Sequence, residues 1–450
     1  MPNCFVGNLL TLLLDEKCIQ IKITFTDMKL IAKLAAAAAI CIAGIATLSC
    51  KEESKDSPVI LLRSGWQVEN IGDVSHTPGF LALAEKYMPE AEVIWWPFYG
   101  LLPDSEVEMV MKRFPNLKIV RGYLNDDGTP SNQELGDAIM KADIFIHNSG
   151  PSMLSWREAL LFKNMTGKPF GVYGVTYGLY GTPEKGALSE AEFLYFRDTV
   201  SLENARKDGI SCPIMEWAPD AAFGADVEDP DKAEAILKEY GLEKGKFICC
   251  NPNQRRTPFW EHTFKGRSFD QSVEDLNQSM RDHDHNPMIE AITRIARETD
   301  LKVFIVHEDQ TELQIGKDWI LDKLPEDVKA KTAWLDRDWT VDEAIGVYKR
   351  SVGLFSHEMH CPIMCIANGI PAIVVRWKEQ STKGYMWETI GLPEWLFDFD
   401  NEADVARYVD TVVEFAKNPD QSREKALKAK KLVNDRQKET FDVIKASIKK

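Results

Sequence analysis

The sequence lacks several short motifs that mark common chemistries. Its nine cysteines include no Cys-x-x-Cys pair, which argues against a zinc ribbon or a thioredoxin-like site. No G-x-S-x-G elbow, G-x-G-x-x-G turn or P-loop is present, so a serine hydrolase, a dinucleotide site and an ATP site lack their usual fingerprints, and we predict no cofactor. An excess of positive charge is also missing. The net charge of −16 argues against nucleic acid as a partner.

Short apolar runs alternate with helical patterns along most of the chain. The 450 residues are 44% hydrophobic, which is typical of a globular protein with room for two domains. The apolar runs predict parallel strands covered by helices on both faces, and they include VILLR (59–63), ADIFI (142–146), FICC (247–250), LKVFIV (301–306) and PAIVV (371–375). We predict an α/β fold with two Rossmann-like domains facing a central cleft, where ligands bind at the carboxyl ends of strands.

Changes in this pattern set the predicted boundaries. In chain order we predict an upstream extension (1–27), a lipoprotein signal peptide (28–50), a tether (51–57), an N-terminal Rossmann-like domain (58–225), a linker (226–246), a C-terminal Rossmann-like domain (247–400) and a helical segment (401–450). Within these segments we predict helices near 78–88 and 287–299, and one long helix over roughly 402–450.

The N-terminal region resembles a bacterial lipoprotein signal that begins at Met28. Lys29 and Lys33 form a positive region, residues 34–48 are apolar but short for a membrane span, and small residues lead to Cys50. We predict that Cys50 is lipidated and anchors the protein to a membrane, with an uncleaved anchor helix as the alternative. The Lys-Glu-Glu that follows resembles the surface-export signal of some Bacteroidetes lipoproteins. We therefore expect an outer membrane lipoprotein exposed at the cell surface, with the periplasmic face as the alternative.

Polar and ionisable residues follow four of the predicted strands. They are His147, Asn148 and Ser149 after ADIFI; Asn251, Asn253, Gln254, Arg255 and Arg256 after FICC; His307, Glu308 and Asp309 after LKVFIV; and His357, Glu358 and His360 after SVGLFS. A chain that only needed to turn would use Gly, Asn or Ser at such places. Because the carboxyl ends of parallel strands lie at the same edge of a sheet, these groups together predict a site in the cleft.

These residue types suit acid–base chemistry on an anionic or sugar substrate. Imidazoles beside a carboxylate supply general acid–base catalysis near neutral pH. Arg255 and Arg256 suit a carboxylate, sulfate or phosphate.

A metal site is the rival interpretation of one short stretch. Asp282-His283-Asp284-His285 offers oxygen and nitrogen ligands, but closed zinc sites draw ligands from more than one element. We interpret this stretch as a solvated loop or a lid at the cleft edge, and we predict no metal.

Several motifs resemble those of the polysaccharide pyruvyl transferase family. In chain order they are Ile71-Gly72-Asp73, ADIFIHNSGPSMLSW (142–156), KPFGVYGVTYGLY (168–180), FRDTVSLENARKDGI (196–210), WAPDAAF (217–223), FSHEMHCPIMCIANGIPAIVV (355–375) and KGYMWETIGL (383–392). The resemblance covers roughly residues 59–400. It implies a two-domain fold similar to GT-B glycosyltransferases and the transfer of pyruvate from phosphoenolpyruvate onto a sugar as a ketal.

Two positions depart from the family pattern. Where the resemblance implies an Arg-x-His pair, this chain has Glu358 and keeps His360, and the usual lysine aligns with Gln380, although Lys383 is nearby. A unit charge about 4 Å away is worth roughly 4 kcal/mol at an effective dielectric near 20, so an anionic donor would need another cation. Arg255, Arg256 and Lys383 are the candidates. A surface location would also separate the protein from cytoplasmic phosphoenolpyruvate.

The sequence therefore leaves three functions open. The first is pyruvyl transfer to a glycan. The second is a surface glycan hydrolase or lyase that uses Glu358 and His360 with a second carboxylate such as Asp73, Asp309 or Asp220. The third is a non-catalytic glycan-binding lipoprotein.

We assign candidate roles to twelve residues. The candidate catalytic residues are His360, Glu358 and Asp73, and the candidate substrate-binding residues are His147, Asn148, Ser149, Asn253, Arg255, Arg256, His307, Gln380 and Lys383. Glu358 has a purely structural alternative as the ion-pair partner of Arg255 or Lys383.

Overall fold

Seven parallel strands form the first sheet, and their apolar runs are buried because helices cover both faces. A computed structural model describes residues 12–14, 17–19, 57–98, 102–178, 182–262 and 266–448. The strands of this sheet are β3 (Val59–Ser64), β4 (Glu92–Pro97), β5 (Lys118–Ile119), β6 (Ile144–His147), β7 (Phe170–Val175), β8 (Phe193–Phe196) and β9 (Ile214–Trp217). Their spatial order is β5-β4-β3-β6-β7-β8-β9.

A second sheet of six parallel strands repeats this arrangement. Its strands are β10 (Phe247–Asn251), β11 (Lys302–Ile305), β12 (Thr332–Trp334), β13 (Leu354–Ser356), β14 (Ala372–Arg376) and β15 (Leu396–Asp398). The spatial order is β12-β11-β10-β13-β14-β15. In both sheets the first strand along the chain lies centrally and the order reverses beside it, which is the Rossmann order with its switch point. The predicted fold class of two Rossmann-like α/β halves is confirmed, and we call these halves the first and second lobes.

Helices connect the strands and cover the sheets. They are α1 (Ile71–Tyr87), α2 (Asp104–Arg113), α3 (Gln133–Lys141), α4 (Trp156–Thr166), α5 (Thr182–Glu190), α6 (Thr199–Lys207), α7 (Pro230–Glu239), α8 (Gln271–Glu298), α9 (Glu312–Ile315), α10 (Glu326–Lys329), α11 (Val341–Tyr348), α12 (His360–Ala367), α13 (Met386–Thr389), α14 (Glu402–Lys417) and α15 (Pro419–Ile448). Among the described residues, no helix is both long and apolar enough to cross a membrane.

The N-terminal 57 residues form a separate unit from Pro58–Lys450. The part of it that is described is an antiparallel pair, β1 (Leu12–Leu14) and β2 (Lys17–Ile19), in which Leu12 lies opposite Ile19. The predicted signal peptide, with Cys50, lies outside the described residues.

Helix α1 begins seven residues before the predicted start near residue 78. Asn70 is its N-cap, and the Asn70 side chain accepts hydrogen bonds from the backbone N–H groups of Gly72 (2.7 Å) and Asp73 (3.1 Å). Pro78, at the predicted start, lies inside α1. Because α1 begins at Ile71, Asp73 lies in its first turn.

Helix α8 also begins earlier than predicted, so the expected loop at 282–285 is wrong. Its N-cap is Asp270, whose side chain accepts from the backbone of Ser272 and Val273, and Pro287 lies within the helix. Asp284 and His285 are buried. Tertiary contacts of these two residues, which a local pattern does not contain, outweigh the cost of an internal proline.

The predicted single C-terminal helix is two helices that break at Asn418. Pro419 lacks a backbone N–H and favours the first position of a new helix, so α14 ends and α15 starts there. Helix α15 returns to the first lobe. There the Tyr87 hydroxyl donates to the Asn434 carbonyl (3.0 Å), and the rings of Phe441 and Phe80 pack at 5.4 Å.

Candidate active site

A cavity of about 750 Å³ lies between the carboxyl ends of the two sheets. Polar side chains of both lobes line it, as expected for sheets of this order. Most of the predicted site residues are in its wall: Asp73, Asn253, Arg255, Arg256, Glu358, His360, Gln380 and Lys383. Trp66, Arg197, Trp260 and Arg267 also line it.

The two lobes meet directly beside this cavity. The backbone N–H of Ile71 donates to the Glu308 carbonyl (3.0 Å), and that of Gln310 donates to the Glu69 carbonyl (3.1 Å). A methyl group on Gly72 would lie 2.4 Å from Cβ of His360. The start of α1 can therefore approach the second lobe this closely only with a glycine at position 72.

The other four predicted residues lie beneath the wall and do not line the cavity. His147 is fully buried and stacks on Trp66, with ring centroids 4.5 Å apart. Asn148 donates to the hydroxyl of Ser64 (2.9 Å) and to the carbonyl of His76 (2.8 Å). Burial lowers the pKa of His147 to about 3, which keeps its ring neutral.

Ser149 and His307 complete this lower layer. The Ser149 hydroxyl accepts from the backbone N–H of Ala221 (2.8 Å) and donates to the Tyr173 carbonyl (3.2 Å). His307 is buried near Trp339, and burial lowers its pKa to about 4. These contacts give the four residues a role in holding the wall.

His360 is the first residue of α12 and is held by a buried carboxylate. Its Nδ1 lies 2.9 Å from Oε1 of Glu308, whose other oxygen accepts from the backbone N–H of Cys361 at 2.7 Å. Burial, with a smaller contribution from the Lys383 charge, lowers the pKa of His360 to about 3. The ring is therefore neutral at pH 7. With Nδ1–H donated to Glu308, the lone pair of Nε2 is available.

The first lobe brings a second histidine to His360. His76 lies one turn after Asp73 on α1, and the rings of His76 and His360 are 4.9 Å apart at 80°. Nε2 of His76 lies 3.2 Å from Oδ1 of Asp220. The other carboxylate oxygen of Asp220, Oδ2, pairs with Arg197 at 2.9 Å. Burial would raise the pKa of Asp220, but the adjacent His76 side chain and the guanidinium of Arg197 hold it well below its usual range.

Glu358 pairs with Lys383 and not with Arg255. Oε2 of Glu358 lies 3.1 Å from Nζ of Lys383, and Oε1 accepts a hydrogen bond from the side-chain amide of Asn253. Burial raises the pKa of Glu358, and the ammonium of Lys383 opposes that rise. Gln380 is close by, where its side chain donates to the His357 carbonyl (3.0 Å).

The two adjacent arginines have different environments. Three carboxylates surround the guanidinium of Arg255, namely Asp284 (2.8 and 3.0 Å), Asp400 (2.6 Å) and Glu379 (3.2 Å). Arg256 is exposed at the cavity rim with Arg267, and in the described part of the chain neither forms an ion pair. Arg256 and Arg267 are thus the arginines open to an anionic ligand.

The fold is shared with solved structures of sugar-modifying enzymes and related proteins, three of which follow. A glycosyltransferase from Rickettsia africae matches with a TM-score of 0.52 and 15% identity over 88% of this chain and 99% of its own. HepE from Anabaena, in complex with UDP and glucose, matches with a TM-score of 0.51 and 10% identity over 87% of this chain and 100% of its own. UDP-GlcNAc 2-epimerase from Neisseria meningitidis, bound to UDP-GlcNAc, matches with a TM-score of 0.50 and 10% identity over 86% of this chain and 99% of its own. They confirm the GT-B-like architecture. A search of curated proteins found no match.

A family model identifies the family. The model for polysaccharide pyruvyl transferase matches residues 70–379, from the cap of α1 to the carboxylates around Arg255. That range is more than half of the chain, and with the glycosyltransferase-like fold it supports a glycan-modifying function. The chain belongs to the polysaccharide pyruvyl transferase family.

Proposed function

We propose that this protein transfers a pyruvyl group from phosphoenolpyruvate to two hydroxyls of a sugar. The observation that carries the proposal is the cavity itself, where Asp73 of the first lobe faces His360, Glu358 and Lys383 of the second. A site built between lobes suits a reaction that must hold a donor and an acceptor together. The family match supports this choice of reaction.

The reaction needs no oxidant or reductant. One sugar hydroxyl adds its oxygen to C2 of phosphoenolpyruvate while C3 gains a proton and becomes a methyl group. Phosphate then leaves C2, and the second hydroxyl oxygen takes its place with loss of its proton. The products are a pyruvate ketal of the sugar and inorganic phosphate.

The donor carries a carboxylate and a phosphate, so it needs cations. Lys383 and Arg197 line the cavity but already pair with Glu358 and Asp220. We assign the phosphate to the rim, where Arg256 and Arg267 are exposed, since arginine matches phosphate oxygens in geometry.

The acceptor sugar is assigned to the other side of the cavity. The neutral ring of His360 offers a lone pair at Nε2, which can accept a hydrogen bond from the attacking hydroxyl and orient it. Trp260 lines the cavity and is half-buried, so it has an exposed ring surface on which a sugar can pack.

The experiment uses the full chain with phosphoenolpyruvate and a panel of hexoses and surface polysaccharides. Phosphate release is measured together with the proton NMR signal of the ketal methyl group. The proposal predicts release that depends on the acceptor, and its loss in His360→Gln. Cleavage of a glycan without phosphate release would instead favour the hydrolase alternative. Glycan binding without any product would favour a binding protein.

Location is a separate proposal, supported only by the sequence around Cys50. We propose that the protein is anchored in the outer membrane through this residue. Cys50→Ser is expected to release the protein from the membrane fraction, whereas Cys212→Ser is expected to leave it there. Retention of the Cys50→Ser protein in the membrane would contradict a lipid anchor.

A further inference from the structure

Three ligand-type side chains from both lobes converge beside the cavity. Asp73, His76 and His360 each offer one donor atom, and these atoms lie within 4.8 Å of one another. Asp73 and His76 come from the first turns of α1, and His360 starts α12. The cluster therefore exists only when the two lobes are packed together.

Each histidine has a carboxylate on its far side. Nδ1 of His360 lies within hydrogen-bonding distance of Glu308 (2.9 Å), and Nε2 of His76 lies 3.2 Å from Asp220, although in the described structure its geometry there does not form a hydrogen bond. Histidines that bind metals usually donate their second N–H to such a carboxylate, which fixes the ring and its tautomer. Asp73 is held in a similar way, since its second oxygen accepts from the side chain of Gln67.

The nitrogens that face the cluster have no partner. In the part of the chain that the structure describes, neither Nε2 of His360 nor Nδ1 of His76 forms a hydrogen bond, although both are buried. Nδ1 of His76 is 3.8 Å from Oδ1 of Asp73, which is too long for a hydrogen bond. Buried polar atoms without a partner call for an explanation such as an ion.

We propose that Asp73, His76 and His360 bind a divalent transition metal ion. Two imidazoles and one carboxylate form a ligand set typical of zinc, iron(II) and manganese sites that keep open coordination positions. Metal–ligand bonds of about 2.0–2.2 Å place neighbouring ligand atoms roughly 3–4 Å apart. Bringing atoms that lie up to 4.8 Å apart to this spacing needs a contraction of the cluster by about 1–2 Å.

The surroundings favour a cation and give it access. Glu308 and Asp220 lie directly behind the two histidines, and Lys383 and Arg197 are each paired with a carboxylate. Asp73 and His360 line the cavity, so the open positions of the ion face it. With the ion bound, the lone pair of His360 Nε2 would bind the ion, and an acceptor hydroxyl would bind the ion directly. The ion would also supply a positive charge near Glu358, where the family pattern has an arginine. The inference rests on this geometry and does not depend on pyruvyl transfer.

The test measures binding directly. The full chain is stripped with a chelator and titrated with Co²⁺, whose visible absorption reports its ligands, and with Zn²⁺ and Mn²⁺ by calorimetry. We expect one equivalent to bind and to raise the melting temperature. Asp73→Asn and His76→Gln are expected to weaken binding by at least 100-fold, and Glu308→Gln by about 10–100-fold through loss of the ring's support.

His283→Gln is the matched control. His283 lies on α8, with Nδ1 2.7 Å from Asp284, in the stretch first considered as a metal site. The proposal predicts that this variant binds Co²⁺ like the natural protein. It is overturned if no stoichiometric binding occurs, if His283→Gln abolishes binding, or if binding is unchanged in a folded Asp73→Asn. Because the readout is binding, a failure of pyruvyl transfer would leave the result intact.

Discussion

The two lobes share one strand order, but they present different chemistry at corresponding places. In the first lobe, His147 is the last residue of β6 and is buried against Trp66. In the second lobe, His360 follows β13 by four residues and reaches the cavity as the first residue of α12. His147, inside its strand, is covered by Trp66, whereas His360, four residues beyond the end of its strand, lines the cavity. The number of residues past the strand end, more than the residue type, decides which side chain reaches the site.

Replacing His360, the member of this pair that lines the cavity, is expected to have the largest effect. His360→Gln removes the only lone pair that the ring offers to the cavity and should lower the transfer rate by about 10²–10⁴-fold. His147→Gln loses the stacking of the ring on Trp66 and should mainly lower the free energy of unfolding, by about 0.5–1.5 kcal/mol. Phosphate release and thermal melting of both variants check this. Equal rates in the two variants would contradict the assignment.

A similar contrast holds between the adjacent arginines. Arg255→Gln leaves Asp284 and two more carboxylates without their cation, and we expect a loss of about 3–5 kcal/mol in the free energy of unfolding. Arg256→Gln should leave stability nearly unchanged and weaken phosphoenolpyruvate binding about tenfold. Urea unfolding and calorimetry measure the two effects. If Arg255→Gln kept its stability but lost phosphoenolpyruvate binding, Arg255 would be the arginine that binds the donor, which would contradict this assignment.

The close approach of the lobes can be tested at Gly72. A methyl group there would lie 2.4 Å from Cβ of His360 and 2.5 Å from Oε1 of Glu308. Gly72→Ala should therefore cost about 1–3 kcal/mol of stability and reduce activity by separating the lobes. Gly186→Ala is the control, because nothing lies within 4 Å of a methyl group at that position. Full activity of Gly72→Ala would mean that the lobes do not need this contact.

The buried histidines also predict a pH dependence of stability. The pKa values of His147 and His307 are lowered to about 3 and about 4, so between pH 6.5 and 4 the unfolded chain binds protons that the folded protein does not. The contribution of these two rings to stability therefore falls as the pH falls, by up to about 1.4 kcal/mol per pH unit for each ring. His147→Gln should reduce this slope by about one proton. Urea unfolding between pH 6.5 and 4.5 measures it, and an unchanged slope would contradict a neutral buried ring.

The fold could be predicted from local patterns because the strands are short, apolar and evenly spaced. Glu358, His360 and Asn253 were predicted for the same reason, since each follows a strand that ends at the cleft. What local pattern could not supply was the partner of each group. Lys383 was one of two candidate partners for Glu358, and the pattern did not choose between them. Asp284, the partner of Arg255, lay in a stretch predicted as a loop.

His76 was missed because of one helix boundary. The helix was predicted to begin near residue 78, which left His76 in a connection with no fixed relation to Asp73. Asn70 as a helix cap, two residues before Gly72-Asp73, would have placed Asp73 and His76 on one helix face, since residues three apart on a helix are neighbours. The approach of His76 to His360 depends on how the two lobes pack together, and no local sequence pattern contains that information.

The measurement that tests the central claim most directly is a calorimetric titration of the full chain with phosphoenolpyruvate, run beside Glu358→Arg. Our account predicts saturable binding of one equivalent by the natural protein, weakened by Arg256→Gln and by Arg267→Gln. It would be contradicted if the natural protein did not bind phosphoenolpyruvate and Glu358→Arg did. That result would mean that the carboxylate of Glu358 prevents binding of the donor.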